Sequence, residues 1–404
     1  MFNKALNYLT NKRPEKAIPL FKKLLKDDAC YKEVYLNLGS CYKMIDRDED
    51  AIEMYLKAAD PEVPFTNNSF VDEYPEALNN LGLMAATFQE DDVSLAYYRR
   101  AIAANPKYYD AYWNMANTLL RKYCSKKYDN LKFCWELYEN RYKRSLVPVK
   151  LKSKVPLLHW DGSHVDTLCI LAEQGMGDQL MWGRYLSLAA TRCNKLYVQC
   201  NESMKVFFSS YNTCYDPSEI PGIVHGIGIC SLGRIFNENI PNGEWLSDRI
   251  ISKIPSGTLD IGVTWSGNPN HANDKHRSTT AERFSTLARF GTLYTLNPTE
   301  AGRVGFVDLA SSCWADTIAE LSRLDLVICV DTSIAHVCGS MGVKCWLLNQ
   351  RKDPDWRWGD DSMGFSNVWY PSSVRVFRNP NDWDIVFKNV EIELEKLSNS
   401  LRTV

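Results

Sequence analysis

The chain has 404 residues, of which 45% are hydrophobic, and this exceeds the size of a single hydrophobic core, so we expect two or three globular domains. Its 47 Lys and Arg side chains nearly balance its 49 Asp and Glu, and the net charge of −2 excludes a global field that would hold the chain on a polyanion or an anionic membrane. The sequence opens on a polar helical pattern and contains no apolar run near the roughly 20 residues that span a bilayer, which predicts a cytoplasmic protein without a membrane segment.

The N-terminal part of the sequence repeats at a fixed interval. Two aromatic residues and an alanine recur after 34 residues, first as Tyr8, Ala17 and Phe21 and again as Tyr42, Ala51 and Tyr55. A third unit, separated from the second by about nine extra residues, has Gly82, Tyr98 and Ala101 at matching positions, and Ala85 where Tyr42 would recur. This interval is that of the tetratricopeptide repeat (TPR), in which small residues let antiparallel helices approach and aromatics fill the gap between them. We predict a TPR solenoid over residues 1–145, ending in a helix at Asp110 to Leu120 and a capping helix through Phe133 to Tyr138.

The rest of the chain alternates short apolar runs with turns and helical segments. This is typical of parallel sheets with helices on both faces. Predicted strands are Leu168 to Ala172, Lys195 to Cys200, Ile223 to Ile229, Ile261 to Trp265, Thr292 to Leu296, Leu326 to Val330, Cys345 to Leu348 and Val374 to Phe377. Eight strands predict two lobes, residues 146–255 and 256–404, with a hinge in the segment Ile254 to Thr258. A ligand is then expected in the cleft between the lobes, outside the carboxyl ends of the strands.

The 13 cysteines are scattered from Cys30 to Cys345 and include no C-x-x-C pair for zinc. Most of them lie inside apolar segments. They are therefore predicted to be reduced thiols in the core rather than disulfides or metal ligands.

The first segment with candidate functional residues is the turn that follows the strand at Leu168. It contains Gly175 and Gly177, and a helix is expected to begin near Asp178. Asp178 is either a helix-capping residue or a general base that takes a proton from an acceptor hydroxyl. A dinucleotide fingerprint is incomplete, because Leu180 stands where the third glycine of G-x-G-x-x-G would be.

The second segment is the polar loop from Trp265 to Ser278, which contains two histidines among only six in the chain. Lys275 and Arg277 are candidates for charge-assisted hydrogen bonds to phosphate. A solvated surface loop is the alternative.

The third segment is the buried strand Leu326 to Val330 and the helix that follows it. Asp331, Thr332 and Ser333 end the strand and start the helix, whose free N–H groups and two hydroxyls suit a pyrophosphate. Asp331 is expected to hold backbone or ribose hydroxyls, or to orient His336. For His336 a satisfied core histidine is the alternative.

The last segment contains Trp356, Arg357 and Trp358. Two tryptophans around an arginine suit a platform for a sugar or a base, and they equally suit packing between lobes.

In these motifs the chain resembles bacterial and phage TPR glycosyltransferases, whose catalytic half is similar to the lipopolysaccharide heptosyltransferases and has the GT-B fold of two Rossmann-like lobes. The resemblance covers the repeats, the turn from Glu173 to Leu180, the loop from Trp265 to Ser278, the segment from Val330 to Gly342 and the tryptophan-rich tail.

This resemblance implies an inverting glycosyltransferase that uses a nucleotide sugar and needs neither a metal nor a cofactor. Asp178 matches the catalytic base, Asp331, Thr332, Ser333 and His336 match the residues around the donor diphosphate, and Lys275 matches a basic phosphate ligand. Gly175, Gly177, Trp265, Arg277 and Trp356 complete the expected donor site. The last helix, about Asp382 to Leu401, is expected to cross back and pack on the first lobe.

Three readings of the function remain open at this point. The first is glycosyl transfer to a protein or peptide bound by the TPR groove, to a glycan, or to a modified base in phage DNA. A non-catalytic TPR scaffold that binds nucleotide sugars is the second. The third is an NAD-dependent enzyme, which the missing third glycine disfavours.

Overall fold

A computed structural model describes residues 1–27, 31–65, 67, 69, 71–144, 151–237, 240–250, 258–271, 273–297, 305–349, 352–378 and 382–402. The chain divides into two compact units: Met1–Leu119 with Leu137–Pro148, and Leu120–Glu136 with Val149–Val404. We call the first the helical unit and the second the α/β unit. The expected domain boundaries after residues 145 and 255 lie outside the described residues, and so does the predicted hinge except for Thr258.

The first six helices of the chain pack against each other as three consecutive pairs. The helices are α1 Phe2–Thr10, α2 Pro14–Lys26, α3 Lys32–Met44, α4 Asp48–Ala59, α5 Pro75–Thr87, α6 Asp91–Ala104, α7 Tyr109–Cys124 and α8 Leu131–Tyr138. The division between the units falls within α7 and within α8.

The small residues of the repeat have the expected packing role. A Cβ atom at Gly39 in α3 would lie 2.7 Å from the ring of Tyr55 in α4, and one at Gly82 in α5 would lie 2.5 Å from the ring of Tyr98 in α6. Each glycine therefore lets an aromatic side chain of the paired helix lie directly on its backbone. The helical pairs that the repeat predicts are confirmed.

The first parallel sheet of the α/β unit has five strands in the order β1-β5-β2-β3-β4. They are β1 Leu158–His159, β2 Val165–Leu171, β3 Cys193–Gln199, β4 Asn212–Cys214 and β5 His225–Gly228. The helices that follow β2 and β5 are α9 Met176–Gly183, α10 Leu186–Ala190 and α11 Leu232–Ile235.

The second parallel sheet has six strands in the order β11-β10-β9-β6-β7-β8. They are β6 Leu259–Thr264, β7 Gly291–Thr295, β8 Val307–Asp308, β9 Leu326–Val330, β10 Cys345–Asn349 and β11 Val374–Arg378. Its helices are α12 Asp274–Arg277, α13 Ala281–Ser285, α14 Trp314–Arg323, α15 Ser333–Met341 and α16 Trp383–Arg402. Counted from β6, this is the 3-2-1-4-5-6 order of Rossmann sheets.

All eight predicted strands are present, with ends displaced by at most three residues, as where β2 begins at Val165 rather than Leu168. The sequence missed β1, β4 and β8, which have two or three residues each and pair with a single neighbouring strand. Such short segments are too brief to produce a period-2 pattern.

The last helix differs from its prediction. Val386, Val390 and Leu394 of α16 belong to the core that includes Leu326 and Leu348 of the second sheet. Its carboxylates pair with arginines of the same part of the chain, Arg289 with Glu391 and Arg375 with Glu393. The expected return to the first sheet is therefore wrong for the described contacts, because the apolar stripe at spacings of four residues is already covered by the second sheet.

All twelve described cysteines are free thiols, and ten of them are buried, which confirms the prediction of reduced core thiols for these residues. Every helix in the described ranges is too short or too polar to cross a membrane.

Candidate functional site

The loops that carry most of the predicted donor-site residues lie at the centre of the second sheet. Strand β6 pairs with β7 on one side and with β9 on the other, all in parallel. The chain therefore leaves β6 and β9 toward opposite faces, and this topological switch point is where open α/β sheets bind ligands. The loop from Trp265 to Ser278 follows β6, and Asp331 follows β9, so the fold brings two predicted segments to one edge.

Arg277 links these two segments. Its Nη1 donates a hydrogen bond to the Asp331 carbonyl oxygen at 3.2 Å, and its Nε pairs with Asp274 Oδ1 at 3.1 Å. The Arg277 side chain is only 14% exposed, whereas Lys275, on the same helix α12, is exposed. The Arg277 end of the loop is therefore held by hydrogen bonds, whereas the residues from Asn268 to His271 are exposed, as in the surface-loop alternative.

Trp265 does not fit the role expected of it. Its side chain is 4% exposed and packs between the rings of Phe284 and Phe306, with centroids 6.4 and 5.9 Å away. The reason is the alternation of β6, which places Trp265 on the core face with Ile261 and Val263. The described contacts of this side chain are core packing, and its contact with a donor stays a prediction.

The carboxyl end of β9 has three polar residues in distinct environments. Asp331 Oδ1 accepts a hydrogen bond from Trp358 Nε1 at 3.0 Å. Burial, together with the charge of Asp355, raises the pKa of Asp331 to about 7, so this carboxyl carries a reduced negative charge near neutral pH. Thr332 is the N-cap of α15 and its hydroxyl is buried without a hydrogen-bond partner, while Ser333 is the first helical residue.

His336 is buried one turn further along α15. Its Nδ1 lies 3.1 Å from Tyr370 Oη, and its ring lies 5.3 Å from the ring of Trp358. Burial, and secondarily the positive charge of Arg357, lowers the pKa of His336 to about 3, so the imidazole is neutral at physiological pH. This is the geometry of the satisfied core histidine, and His336 supplies no positive charge for a diphosphate.

Asp178 lies at the carboxyl edge of the first sheet, in the turn after β2. The helix α9 begins at Met176, two residues before the predicted start, and Asp178 Oδ2 accepts a hydrogen bond from the Gly175 N–H at 2.9 Å. The other oxygen, Oδ1, forms an ion pair with Arg357 Nη2. Burial raises the pKa of Asp178, and the Arg357 charge opposes that rise. Both oxygens of the predicted base are therefore engaged.

Gly177 places this turn against the second sheet's helix. A Cβ atom at Gly177 would lie 2.7 Å from Cδ2 of His336. Only glycine admits the approach of α9 to α15 at this position, which is the structural basis for the glycine predicted to belong to the site.

Arg357 and Asp355 are the central charged residues that sequence analysis did not assign. Arg357 Nη1 donates to both carboxylate oxygens of Asp355, at 2.9 and 2.7 Å, while Nη2 pairs with Asp178. Burial alone would raise the pKa of Asp355, but Arg357 outweighs burial and the pKa is lowered. The sequence did contain a signal for these two residues, because they follow the strand β10 at the edge of the sheet where Asp331 lies.

Trp356, expected in the donor site, is 7% exposed. Its ring packs at 6.1 Å from Trp135 and 5.7 Å from Trp369, and the Arg357 guanidinium lies 4.5 Å from its centroid. The Trp356 ring thus packs against the Arg357 guanidinium and offers no exposed platform for a sugar or a base. This outcome is the packing alternative.

The assembled site combines three carboxylates, Asp178, Asp331 and Asp355, with the guanidinium of Arg357 and the N-terminus of α15. Such a site can hold an anion through the guanidinium and the helix N–H groups, and it can accept a proton on a carboxylate. In the described part of the chain, no group of three or more His, Cys, Asp or Glu side chains is arranged to hold a metal ion.

Solved structures similar to this chain include a crystal structure of MamA, which is 22% identical, with 34% of this chain and 72% of that chain covered at a TM-score of 0.28. PilF of Pseudomonas aeruginosa is 20% identical over 33% of this chain and 56% of its own, at a TM-score of 0.27. YrrB, a TPR protein with an unusual peptide-binding site, is 16% identical over 35% of this chain and 71% of its own, at a TM-score of 0.27. No curated protein matches the sequence. Residues 2–65 match the tetratricopeptide repeat family, so the N-terminal region of this chain carries tetratricopeptide repeats.

Proposed function

We propose that the α/β unit is a glycosyltransferase with a GT-B arrangement of two Rossmann-like sheets. It moves a sugar from a nucleoside-diphosphate donor to an acceptor hydroxyl. The observation that carries this proposal is the ion pair between Asp178 and Arg357, residues 179 positions apart. It joins the carboxyl edge of one parallel sheet to that of the other, which is where two such sheets bind ligand in common.

The donor diphosphate is assigned to the N-terminus of α15. The backbone N–H groups after Thr332 and the Ser333 hydroxyl are available to phosphate oxygens, and the helix dipole favours negative charge there. Arg277 lies within the same edge, because it donates to the Asp331 carbonyl. The raised pKa of Asp331 supports this assignment, since a partly neutral carboxyl repels a phosphate less.

Asp178 is assigned as the general base. It takes the proton of the acceptor hydroxyl, the oxygen forms a bond to the anomeric carbon, and the bond from that carbon to the diphosphate breaks. The electron pair of the broken bond leaves with the diphosphate, and attack from the opposite side inverts the anomeric centre. Burial that raises the pKa of Asp178 supports this role, because a more basic carboxylate is a better proton acceptor.

For the acceptor we propose a protein. Helix pairs of the repeat stack into extended concave surfaces that bind peptides, and the TPR region therefore supplies a means of recruiting a polypeptide substrate. Glycan and modified-DNA acceptors lack such a binding module in the described structure, and the net charge of −2 adds nothing toward DNA phosphates.

The test is transfer or hydrolysis of nucleotide sugars. A panel of UDP-, GDP-, ADP- and dTDP-sugars is incubated with the protein, with and without peptide libraries rich in Ser and Thr, and the released nucleoside diphosphate is quantified. We expect turnover of one donor class, at least 100-fold slower in Asp178→Asn. Asp166→Asn is the matched control, because its carboxylate is exposed and accepts hydrogen bonds from Asn194 and Thr167 in the first sheet region. Equal turnover of both variants would remove Asp178 from the mechanism.

A second candidate is a non-catalytic TPR scaffold with a nucleotide-sugar-binding α/β unit. The engagement of both Asp178 oxygens favours it, because a carboxylate locked in an ion pair and a helix cap performs a structural role without any chemistry. Binding of a nucleotide sugar with no release of nucleoside diphosphate over hours, in the presence of cell-derived acceptors, is the result that would establish this alternative.

A further inference from the structure

We infer that Arg357, which pairs with Asp178 and Asp355, is also a ligand of the donor diphosphate, so that the diphosphate and the catalytic base compete for one guanidinium. The inference rests on the proposed function and adds to it an order of events. Donor binding draws Arg357 away from Asp178, and the base then becomes free.

Both terminal nitrogens of Arg357 donate hydrogen bonds to carboxylates. Its Nη1 donates to both oxygens of Asp355 and its Nη2 pairs with Asp178. The side chain is 7% exposed, so these carboxylates, rather than solvent, provide its charge compensation. A guanidinium that pairs with carboxylate oxygens through both terminal nitrogens can also pair with phosphate oxygens.

Arg357 also lies near the site assigned to the diphosphate. Arg357 follows β10, the neighbour of β9, so its loop lies at the edge where α15 begins. The adjacent residue, Trp358, hydrogen-bonds directly to the carboxylate of Asp331 at the end of β9. The charge of Arg357 also acts on Asp331 and on His336, where it contributes to lowering the pKa of each group. A phosphate at the α15 N-terminus therefore lies within the field of this cation.

The balance of charge also supports this role. Asp178 and Asp355 both pair with the buried guanidinium of Arg357, whose charge also lowers the pKa of Asp331, and Arg277 pairs with Asp274. A diphosphate brings more negative charge than one carboxylate, and it competes for Arg357 with the weaker of the two partners. Asp178 holds Arg357 through one oxygen and Asp355 holds it through two, so Asp178 is the partner that is displaced.

Displacement has a chemical consequence. The Arg357 charge opposes the rise of the Asp178 pKa that burial causes. Once the guanidinium moves to the diphosphate, that opposition ends and the carboxylate becomes a stronger base. Without donor the base stays paired, and an acceptor hydroxyl is not deprotonated.

The test is calorimetric titration of the full-length protein with inorganic pyrophosphate at pH 7.5 in EDTA-containing buffer. Asp178→Asn weakens the competing partner, so we expect pyrophosphate to bind about tenfold more tightly than to the wild type, a change of about 1.4 kcal/mol. Glu393→Gln is the charge-matched control, because it removes one carboxylate of α16, which pairs with Arg375 of β11 and with Lys396 of α16. The affinity of this variant for pyrophosphate is expected to stay within twofold of wild type.

Removal of Arg357 alone leaves two buried carboxylates unpaired and endangers folding, so the cation is tested in a neutralised background. The double variant Asp178→Asn, Asp355→Asn is compared with the triple variant that also carries Arg357→Gln. We expect the triple variant to bind pyrophosphate at least tenfold more weakly than the double variant. Equal pyrophosphate affinity of the double and triple variants, or no pyrophosphate binding in any variant, would overturn the inference.

These outcomes separate the inference from the proposed function. Donor turnover with an affinity for pyrophosphate that is independent of Arg357 overturns the inference and leaves the glycosyltransferase standing. Arg357-dependent pyrophosphate binding without turnover supports the ligand role and overturns the enzyme.

Discussion

Replacing Arg357 by glutamine tests the charge cluster most directly, because the side chain neutralises two partly buried carboxylates at once. Asp178 is 18% and Asp355 33% exposed at the side chain, and Arg357 is 7% exposed. Removing one member of a buried ion pair costs about 3–5 kcal/mol, chiefly because its partner is left charged and poorly solvated. We therefore expect Arg357→Gln to lower the free energy of unfolding of the α/β unit by about that amount at pH 8.

The loss should depend on pH in a defined direction. Without the guanidinium, the folded-state pKa values of Asp178 and Asp355 rise, and that of Asp331, which Arg357 also lowers, rises as well. A folded-state pKa above the unfolded value means that the folded variant takes up protons more readily, so its stability increases as pH falls. The deficit relative to wild type should shrink by at least half between pH 8 and pH 5.

The assay is urea unfolding followed by hydrogen exchange with mass spectrometry, because peptides from α15 and β9 report on the α/β unit apart from the helical unit. Arg323→Gln is the matched control: Arg323 is 66% exposed and pairs with Glu320, an arrangement worth about 0–1 kcal/mol. A deficit no larger than that of Arg323→Gln, or one that is the same at pH 5 and pH 8, would refute the cluster as described.

Three further predictions concern packing and titration. Gly177→Ala should destabilise the α/β unit by about 1–3 kcal/mol, since its Cβ would lie 2.7 Å from a buried ring atom of His336; unchanged urea midpoints would contradict the close approach. Gly82→Ala should destabilise the helical unit by a similar amount, about 1–3 kcal/mol, because its Cβ would lie 2.5 Å from the ring of Tyr98, and exchange in α5 and α6 measures it. Asp331→Asn should be more stable than wild type at pH 8, where the carboxylate is charged above its raised pKa of about 7, and the gain should vanish near pH 4; a gain that is constant with pH would show that burial of charge is not its cause.

Much of the fold followed from local patterns. The recurrence of Ala17 as Ala51 predicted helix pairs because small residues are needed wherever two helices touch, and the apolar run at Leu326 predicted β9 to the residue because a central parallel strand is buried on both faces. The positions of Asp178, Asp331 and Ser333 just after strands also predicted that they lie at the carboxyl edges, since parallel strands end together.

Individual side-chain roles were less accessible from the sequence. Trp265 and Trp356 were predicted to contact a donor, and both are buried packing residues. An aromatic residue in a loop has the same signature whether it covers a ligand or a core, and only the neighbouring chain decides which. His336 was left between two roles for the same reason, and the structure places it as a buried, neutral residue beside Tyr370 and Trp358.

The sequence by itself determined the repeat, eight strands and the edge on which the polar residues lie, because spacing along a helix or strand is a local property. The tertiary structure alone decided the strand order and the pairing of Asp178 with Arg357. These two residues are 179 positions apart, and their meeting depends on how two sheets pack, which no local periodicity encodes. That pairing is also what makes the candidate base a partner of a cation rather than a free carboxylate.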